Sequence, residues 1–131
     1  MDGKSPARPL HPKDSLGRYG EQLAVRHLQA AGLVVLDRNW RSTDPAVRGE
    51  LDLVLQDRDA VVFCEVKTRS STAYGTPAEA VSRVKQARLR RLARAWLEQH
   101  RDGWAEVRFD VVAVLRPRRG PAVVEHLRGV L

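Results

Sequence analysis

Two short stretches of this sequence carry residues able to do hydrolytic chemistry. Gly49-Glu50-Leu51-Asp52 offers two carboxylates, and Glu65-Val66-Lys67 offers a carboxylate and an ammonium. In an extended chain, residues two apart share a face. Glu65 and Lys67 then stand together, as do Glu50 and Asp52, while Leu51, Leu53, Leu55, Val62, Cys64 and Val66 turn the other way. Only Asp57-Arg58-Asp59 separates the two runs, about the length of a hairpin loop, which makes them antiparallel neighbours. Cross-strand side chains then approach within roughly 5–8 Å. Like carboxylates at that range repel, and desolvating a charge costs several kcal/mol. Two compensations are open. One is a simple ion pair of Lys67 with Glu65 or Asp52 on a solvated strand. The other is a divalent cation held by Asp52 and Glu65, with Lys67 beside a water or a phosphate and the Val66 carbonyl as a further hard ligand. Oxygen donors with open water positions suit Mg²⁺ or Mn²⁺. Zinc suits poorly, because there is one cysteine and His11, His27, His100 and His126 lie scattered without ligand spacing. Glu-x-Lys alone is a weak motif. Here it sits in the strongly apolar run Val61-Val62-Phe63-Cys64 and follows an acidic strand end at hairpin distance.

Those residues need elements to hold them. Residues 15–31 read as a helix, with Leu16, Tyr19, Leu23, Val25, Leu28 and Ala31 near helical spacing, Ser15 as N-cap and Gly32 as stop. Gly17 and Gly20 remove side chains where another backbone comes close. Residues 33–41 read as a strand, 42–48 as a loop, 49–56 and 60–67 as the hairpin strands, and 68–75 as a polar loop. Thr76-Pro77-Ala78-Glu79 combines an N-cap Thr, a first-turn Pro and a third-position Glu, which predicts a helix over 76–99. Leu89, Leu92 and Trp96 form its apolar stripe, and Arg83, Arg90, Arg94 and Arg101 another face. Residues 106–115 and 122–126 read as strands. The order α-β-β-β-α-β-β gives an α/β domain with a mixed, hairpin-rich sheet flanked by helices.

The composition agrees with a globular chain. At 131 residues and 30% charged, it predicts one domain over 15–131, behind a flexible, basic, proline-rich arm at 1–14. No apolar run nears the roughly 20 residues of a membrane span, and no leader segment is evident, so the expected location is cytoplasmic. The single Cys64 excludes an internal disulfide framework. A net charge of +7 points to a polyanionic partner, nucleic acid foremost. The Arg83, Arg90, Arg94 stripe reads equally as a track for a phosphate backbone and as a solvated helix face.

Gly20-Glu21, Arg38-Asn39-Trp40-Arg41, Gly49-Glu50-Leu51-Asp52 and Glu65-Val66-Lys67-Thr68-Arg69 together resemble the bacterial YraN family. That family is assigned to the restriction-endonuclease-like, or PD-(D/E)XK, superfamily, whose better understood relatives are archaeal Holliday-junction resolvases. The likeness spans about residues 15–115. It implies a restriction-endonuclease-like core and metal-dependent hydrolysis of phosphodiester bonds in DNA or structured nucleic acid, branched junctions included. It makes Asp52 the central metal-binding aspartate, Glu65 and Lys67 the acidic residue and lysine of the ExK element, and Glu21 the first-helix glutamate. Asp52 and Glu65 would hold Mg²⁺ or Mn²⁺. Lys85, with Gln86 beside it, matches an extra polar position on the following helix. Leu51 stands where the superfamily name has proline. Arg69, Lys85, Arg83, Arg90 and Arg94 are the expected nucleic-acid contacts, and resolvase-like relatives imply a homodimer. The competing expectation is a non-catalytic nucleic-acid-binding protein that keeps the fold.

Overall fold

The most apolar run becomes the middle of the structure. The computed structural model describes residues 12–70, 79–100 and 103–131. Its elements run α1 (Pro12–Ala30), β1 (Val34–Trp40), β2 (Leu51–Asp57), β3 (Ala60–Arg69), α2 (Arg83–Gln99), β4 (Glu106–Leu115) and β5 (Val123–Leu127). The first six residues of β3 are all buried, as a strand covered on both faces requires. One five-stranded sheet has the order β1-β2-β3-β4-β5. β1, β2 and β3 form an antiparallel meander, β4 lies parallel to β3, and β5 pairs antiparallel with β4. A parallel neighbour needs a crossover, which α2 supplies. The fold is therefore α/β, in the expected element order. No helix among the described residues is long and apolar enough to cross a membrane.

Each face of the sheet carries its own core. On one, Leu51, Val54, Val61, Phe63 and Val111 pack against Leu89, Leu92, Ala93 and Trp96 of α2. On the other, Leu53, Leu55, Val62, Cys64, Val112 and Val114 pack against Ala24 and Leu28 of α1. Fully burying one such side chain contributes roughly 1.5–3 kcal/mol. The innermost stripe of α1 is Gly20, Ala24 and Leu28, four residues apart and small at its first position. A Cβ on Gly20 would lie 1.8 Å from Thr68 Oγ1, so only glycine lets α1 rest against the end of β3.

Two boundaries differ from the sequence reading. α1 is already helical at Pro12, three residues before Ser15, so the last part of the expected arm belongs to the helix; residues 1–11 of that arm lie outside the described residues. α2 begins at Arg83, not Thr76, and Ser82 is its N-cap, its hydroxyl accepting the Lys85 N–H at 3.2 Å. Thr76-Pro77-Ala78 fall outside the described residues, and Glu79 lies in a turn. The physical reason is Val81, which is buried in the α2-side core and must arrive before the helix starts.

Candidate active site

The acidic residues meet where two strands separate. β2 and β3 stay paired from Asp57↔Ala60 to Leu53↔Cys64, and Asp52 and Glu65 are the next residues on each strand. Beyond that point the Asp52 side chain replaces the lost backbone partner: its Oδ2 accepts the Val66 N–H at 2.9 Å. The inside–outside alternation of β2 also breaks here. Leu51 packs on the α2 side, whereas Leu53 and Leu55 pack on the α1 side, so the three leucines do not share the single face their spacing predicts. On β1, Asn39 stands opposite this break, between the Arg38↔Leu53 and Trp40↔Leu51 pairs, with a φ of 51°. Asparagine tolerates that left-handed conformation better than most residues.

The break turns Asp52 toward Glu65. There each carboxyl disfavours the charge of the other. Burial, then the Glu65 charge, push the Asp52 carboxyl up to about 8; the Val66 N–H opposes this, and the Glu65 hydrogen bond and Glu21 charge add to the rise. Glu65 itself is 3% exposed. Two ammonium groups serve it, Lys85 Nζ at 2.5 Å and Lys67 Nζ at 3.7 Å from Oε2. Burial draws the Lys85 pKa down, but the hydrogen bond and charge of Glu65 more than reverse this, so Lys85 remains a cation. The first turn of α2 contains no acidic residue, the wrong charge pattern for a helix N-terminus, and Glu65 supplies the missing negative charge through Lys85.

Glu21 completes the group from α1. Asn39 Nδ2 donates to its Oε1 at 2.9 Å, and Arg38 Nη2 lies 3.9 Å from the same oxygen. Burial raises the Glu21 pKa, and Asn39 and Arg38 offset only part of that. A cleft of about 430 Å³ opens here, lined by Leu16, Gly17, Glu21, Asp52, Val66, Lys67 and Thr68. The structure thus brings Glu21, Asp52, Glu65 and Lys67 to one place. Glu50 takes no part, since its carboxylate pairs with Arg41 Nε and Nη2, both at 3.0 Å.

The expected nucleic-acid contacts divide. Lys85 reaches the acidic pair, and Arg69 ends β3 beside the cleft. Arg83 and Arg94 are exposed on α2, and Arg90 lies over the Phe109 ring at 4.7 Å, so these three do not line the cleft. Sequence reasoning missed the support of Glu21 by Arg38 and Asn39. The run Arg38-Asn39-Trp40-Arg41 held the signal, for an asparagine within a strand marks an irregular φ.

Asp52 and Glu65 could hold a metal. Among the described residues no three His, Cys, Asp or Glu side chains are grouped closely enough to do so by themselves. Two neighbouring carboxyl groups that disfavour each other's charge offer hard oxygens and a place for positive charge. Mg²⁺ commonly takes one or two carboxylates and keeps several waters, so the donor set fits it and Mn²⁺. A slightly larger hollow, about 480 Å³, lies at the opposite end of the sheet and includes Asp37, Trp96, His100 and Trp104. Its groups hold the fold: Trp96 Nε1 donates to Asp37 Oδ2 at 2.8 Å, and Trp96 stacks on His100 with ring centroids 3.9 Å apart.

Comparison with known proteins agrees with the resemblance read from the motifs. The model of the uncharacterised protein family UPF0102, which is the YraN family, matches residues 20–114. A UPF0102 protein from Beutenbergia cavernae is 60% identical over 92% of this chain and 99% of its own length. One from Frankia casuarinae is 57% identical over 92% and 98%, and one from Streptomyces griseus 52% over 92% and 99%.

Proposed function

We propose, from the premise that the chain belongs to the uncharacterised protein family UPF0102, that it is a metal-dependent nuclease of restriction-endonuclease-like fold. Its substrate class is DNA or structured nucleic acid, with branched substrates the first to try. One observation carries this reading: Asp52 and Glu65 stand where β2 and β3 part, Glu65 between two lysines and Asp52 at the edge of an open cleft. Such a pair is costly to the fold and gains most from binding a cation. The net charge of +7 and the element order α-β-β-β-α-β-β support the same reading.

Asp52 and Glu65 would hold Mg²⁺ or Mn²⁺, with the Val66 carbonyl beside them. A bound divalent cation supplies Lewis acidity toward a phosphate oxygen and makes a water easier to deprotonate. Lys85 fixes the Glu65 carboxylate in position. Lys67, 27% exposed at the cleft, brings an ammonium to the non-bridging phosphate oxygens, where charge grows as water attacks. Glu21 Oε1 is engaged by Asn39 and Arg38, while Oε2 has no partner among the described residues and is available to accept a proton from water. The water oxygen forms a bond to phosphorus, the phosphorus–oxygen bond to the leaving sugar breaks, and the leaving sugar oxygen takes a proton from solvent.

The lack of a third acidic ligand among the described residues favours one alternative, a nucleic-acid-binding protein without turnover. Incubation with single-stranded, duplex, flap and four-way-junction DNA, in Mg²⁺, Mn²⁺ or EDTA, separates the two. Cutting that requires metal and is lost in Asp52→Ala and Lys67→Ala establishes the nuclease. Salt-sensitive binding with no cutting of any substrate establishes the binding protein.

A further inference from the structure

We infer that Arg116, held over the ring of Tyr19, is a phosphate-contacting residue that anchors nucleic acid at the strand ends beyond the acidic pair. This rests on the reading that nucleic acid is the substrate. Arg116 follows directly on β4, whose last residue Leu115 pairs with Arg69 at the end of β3. Both strands therefore finish on the side of the sheet where Asp52 and Glu65 meet. The Arg116 backbone N–H donates to the Arg69 carbonyl at 2.8 Å, and Pro117 follows it, so its stem leaves from a fixed point. Its guanidinium carbon lies 4.8 Å from the centroid of Tyr19. Tyr19 adjoins Gly20, which touches Thr68, and Thr68 lines the cleft. The guanidinium thus sits over α1 one residue from the position that rests on the end of β3.

The chemistry selects an anion as the ligand. Arg41 and Arg108 are neutralised by Glu50 and by Asp57 with Asp110. Arg116 is exposed and has no carboxylate partner among the described residues, yet its orientation is set. A guanidinium over a ring keeps N–H donors for a further ligand, and two of them match two phosphate oxygens in one plane, which an ammonium cannot do. A phosphodiester further along a strand bound at the acidic pair is the group such a fork would hold.

The test reads binding in EDTA, by fluorescence anisotropy of a labelled oligonucleotide with the full chain, over a series of salt concentrations. Arg116→Ala weakens binding roughly tenfold and lowers the salt slope by about one. Arg116→Lys restores the slope but not the full affinity, because charge returns without the planar fork. Tyr19→Phe keeps the ring and binds as the native protein, whereas Tyr19→Leu weakens binding several-fold. Arg128→Ala removes an equal charge from an exposed position beyond the far end of β5 and has little effect. Equal losses in Arg116→Ala and Arg128→Ala, or full affinity in Arg116→Lys, overturn the assignment. Because cleavage plays no part in this assay, a protein that binds through Arg116 but never cuts removes only the nuclease reading. One that cuts yet is indifferent to Arg116 removes only this inference.

Discussion

Raising the pH should loosen the metal-free protein, and Asp52→Asn should abolish most of that effect. The Asp52 carboxyl has a pKa of about 8 in the folded chain against an ordinary value of 3.8. Between those values the folded state holds more protons than the unfolded state, so stability falls as pH rises toward 8. A whole proton is equivalent to about 1.4 kcal/mol per pH unit. Asp52 is half-buried and lies beside the Glu65 charge, so the expected slope is on the order of 1 kcal/mol per unit. Over two units below pH 8 the metal-free protein then loses roughly 2 kcal/mol. In Asp52→Asn the new amide keeps an oxygen for the Val66 N–H and gains an N–H for Glu65, with no proton to lose. Urea unfolding in EDTA at several pH values provides the assay. The variant should match the native protein in mild acid and exceed it near pH 8, and added Mg²⁺ should flatten the native slope by replacing the proton. Parallel stability–pH curves for the two proteins would refute the raised Asp52 pKa and this reasoning with it.

Gly20→Ala forces a Cβ against Thr68, with Oγ1 only 1.8 Å away and Cβ at 2.9 Å. Overpacking costs about 1–3 kcal/mol, less the ~1 kcal/mol that Ala adds to helix propensity, so a net loss is expected in urea unfolding. Thr68→Ala recovers only part of it, because its Cβ remains. Asp110→Asn keeps an oxygen for the Gly129 N–H but removes the buried negative charge facing Arg108 and sets an amide NH2 against Arg108 Nη2 and His126, and should cost about 3 kcal/mol or more in thermal unfolding. Burial alone would raise the Asp110 pKa, but the hydrogen bonds from His126, Arg108 and Gly129 outweigh it and hold it below the ordinary value. Its contribution is therefore present above the ordinary value of 3.8 and lost in stronger acid, opposite in sign to Asp52, and an acid titration of wild type against Asp110→Asn reads it. Trp96→Phe leaves Asp37 without its indole donor and should lower stability by about 1–2 kcal/mol in urea unfolding.

Much of this arrangement was legible from local pattern. The strand over 106–115 agrees with β4, the hairpin around Asp57-Arg58-Asp59 joins β2 to β3, and Gly32 ends α1 with a φ of 95°. The pairing of Asp52 with Glu65 followed from hairpin geometry, although the route differed. Strict alternation placed them on one strand face, whereas the strands in fact part and Asp52 turns into the gap. Period-two reasoning sees Leu51, Leu53 and Leu55 as equivalent and cannot detect the break, which lies opposite Asn39 and its left-handed backbone on β1. The start of α2 was misread for a related reason. Thr76-Pro77-Ala78-Glu79 is a sound capping signal, but tertiary packing of Val81 moves the cap to Ser82. That shift matters to the site, since it sets Lys85 in the first turn, where its ammonium reaches Glu65. Asp110 meets Arg108 two residues away along the same strand, but its link to His126 crosses strands and leaves no trace in spacing.

Titration of Mn²⁺ into the full chain, followed by the electron paramagnetic resonance of free Mn²⁺, tests the proposed site most directly. Binding at one site per chain is expected, lost in both Asp52→Asn and Glu65→Gln while circular dichroism shows the fold intact. Unchanged Mn²⁺ binding in those two variants, or none in the native protein, would contradict the assignment of these two carboxylates as the place where the cation is held.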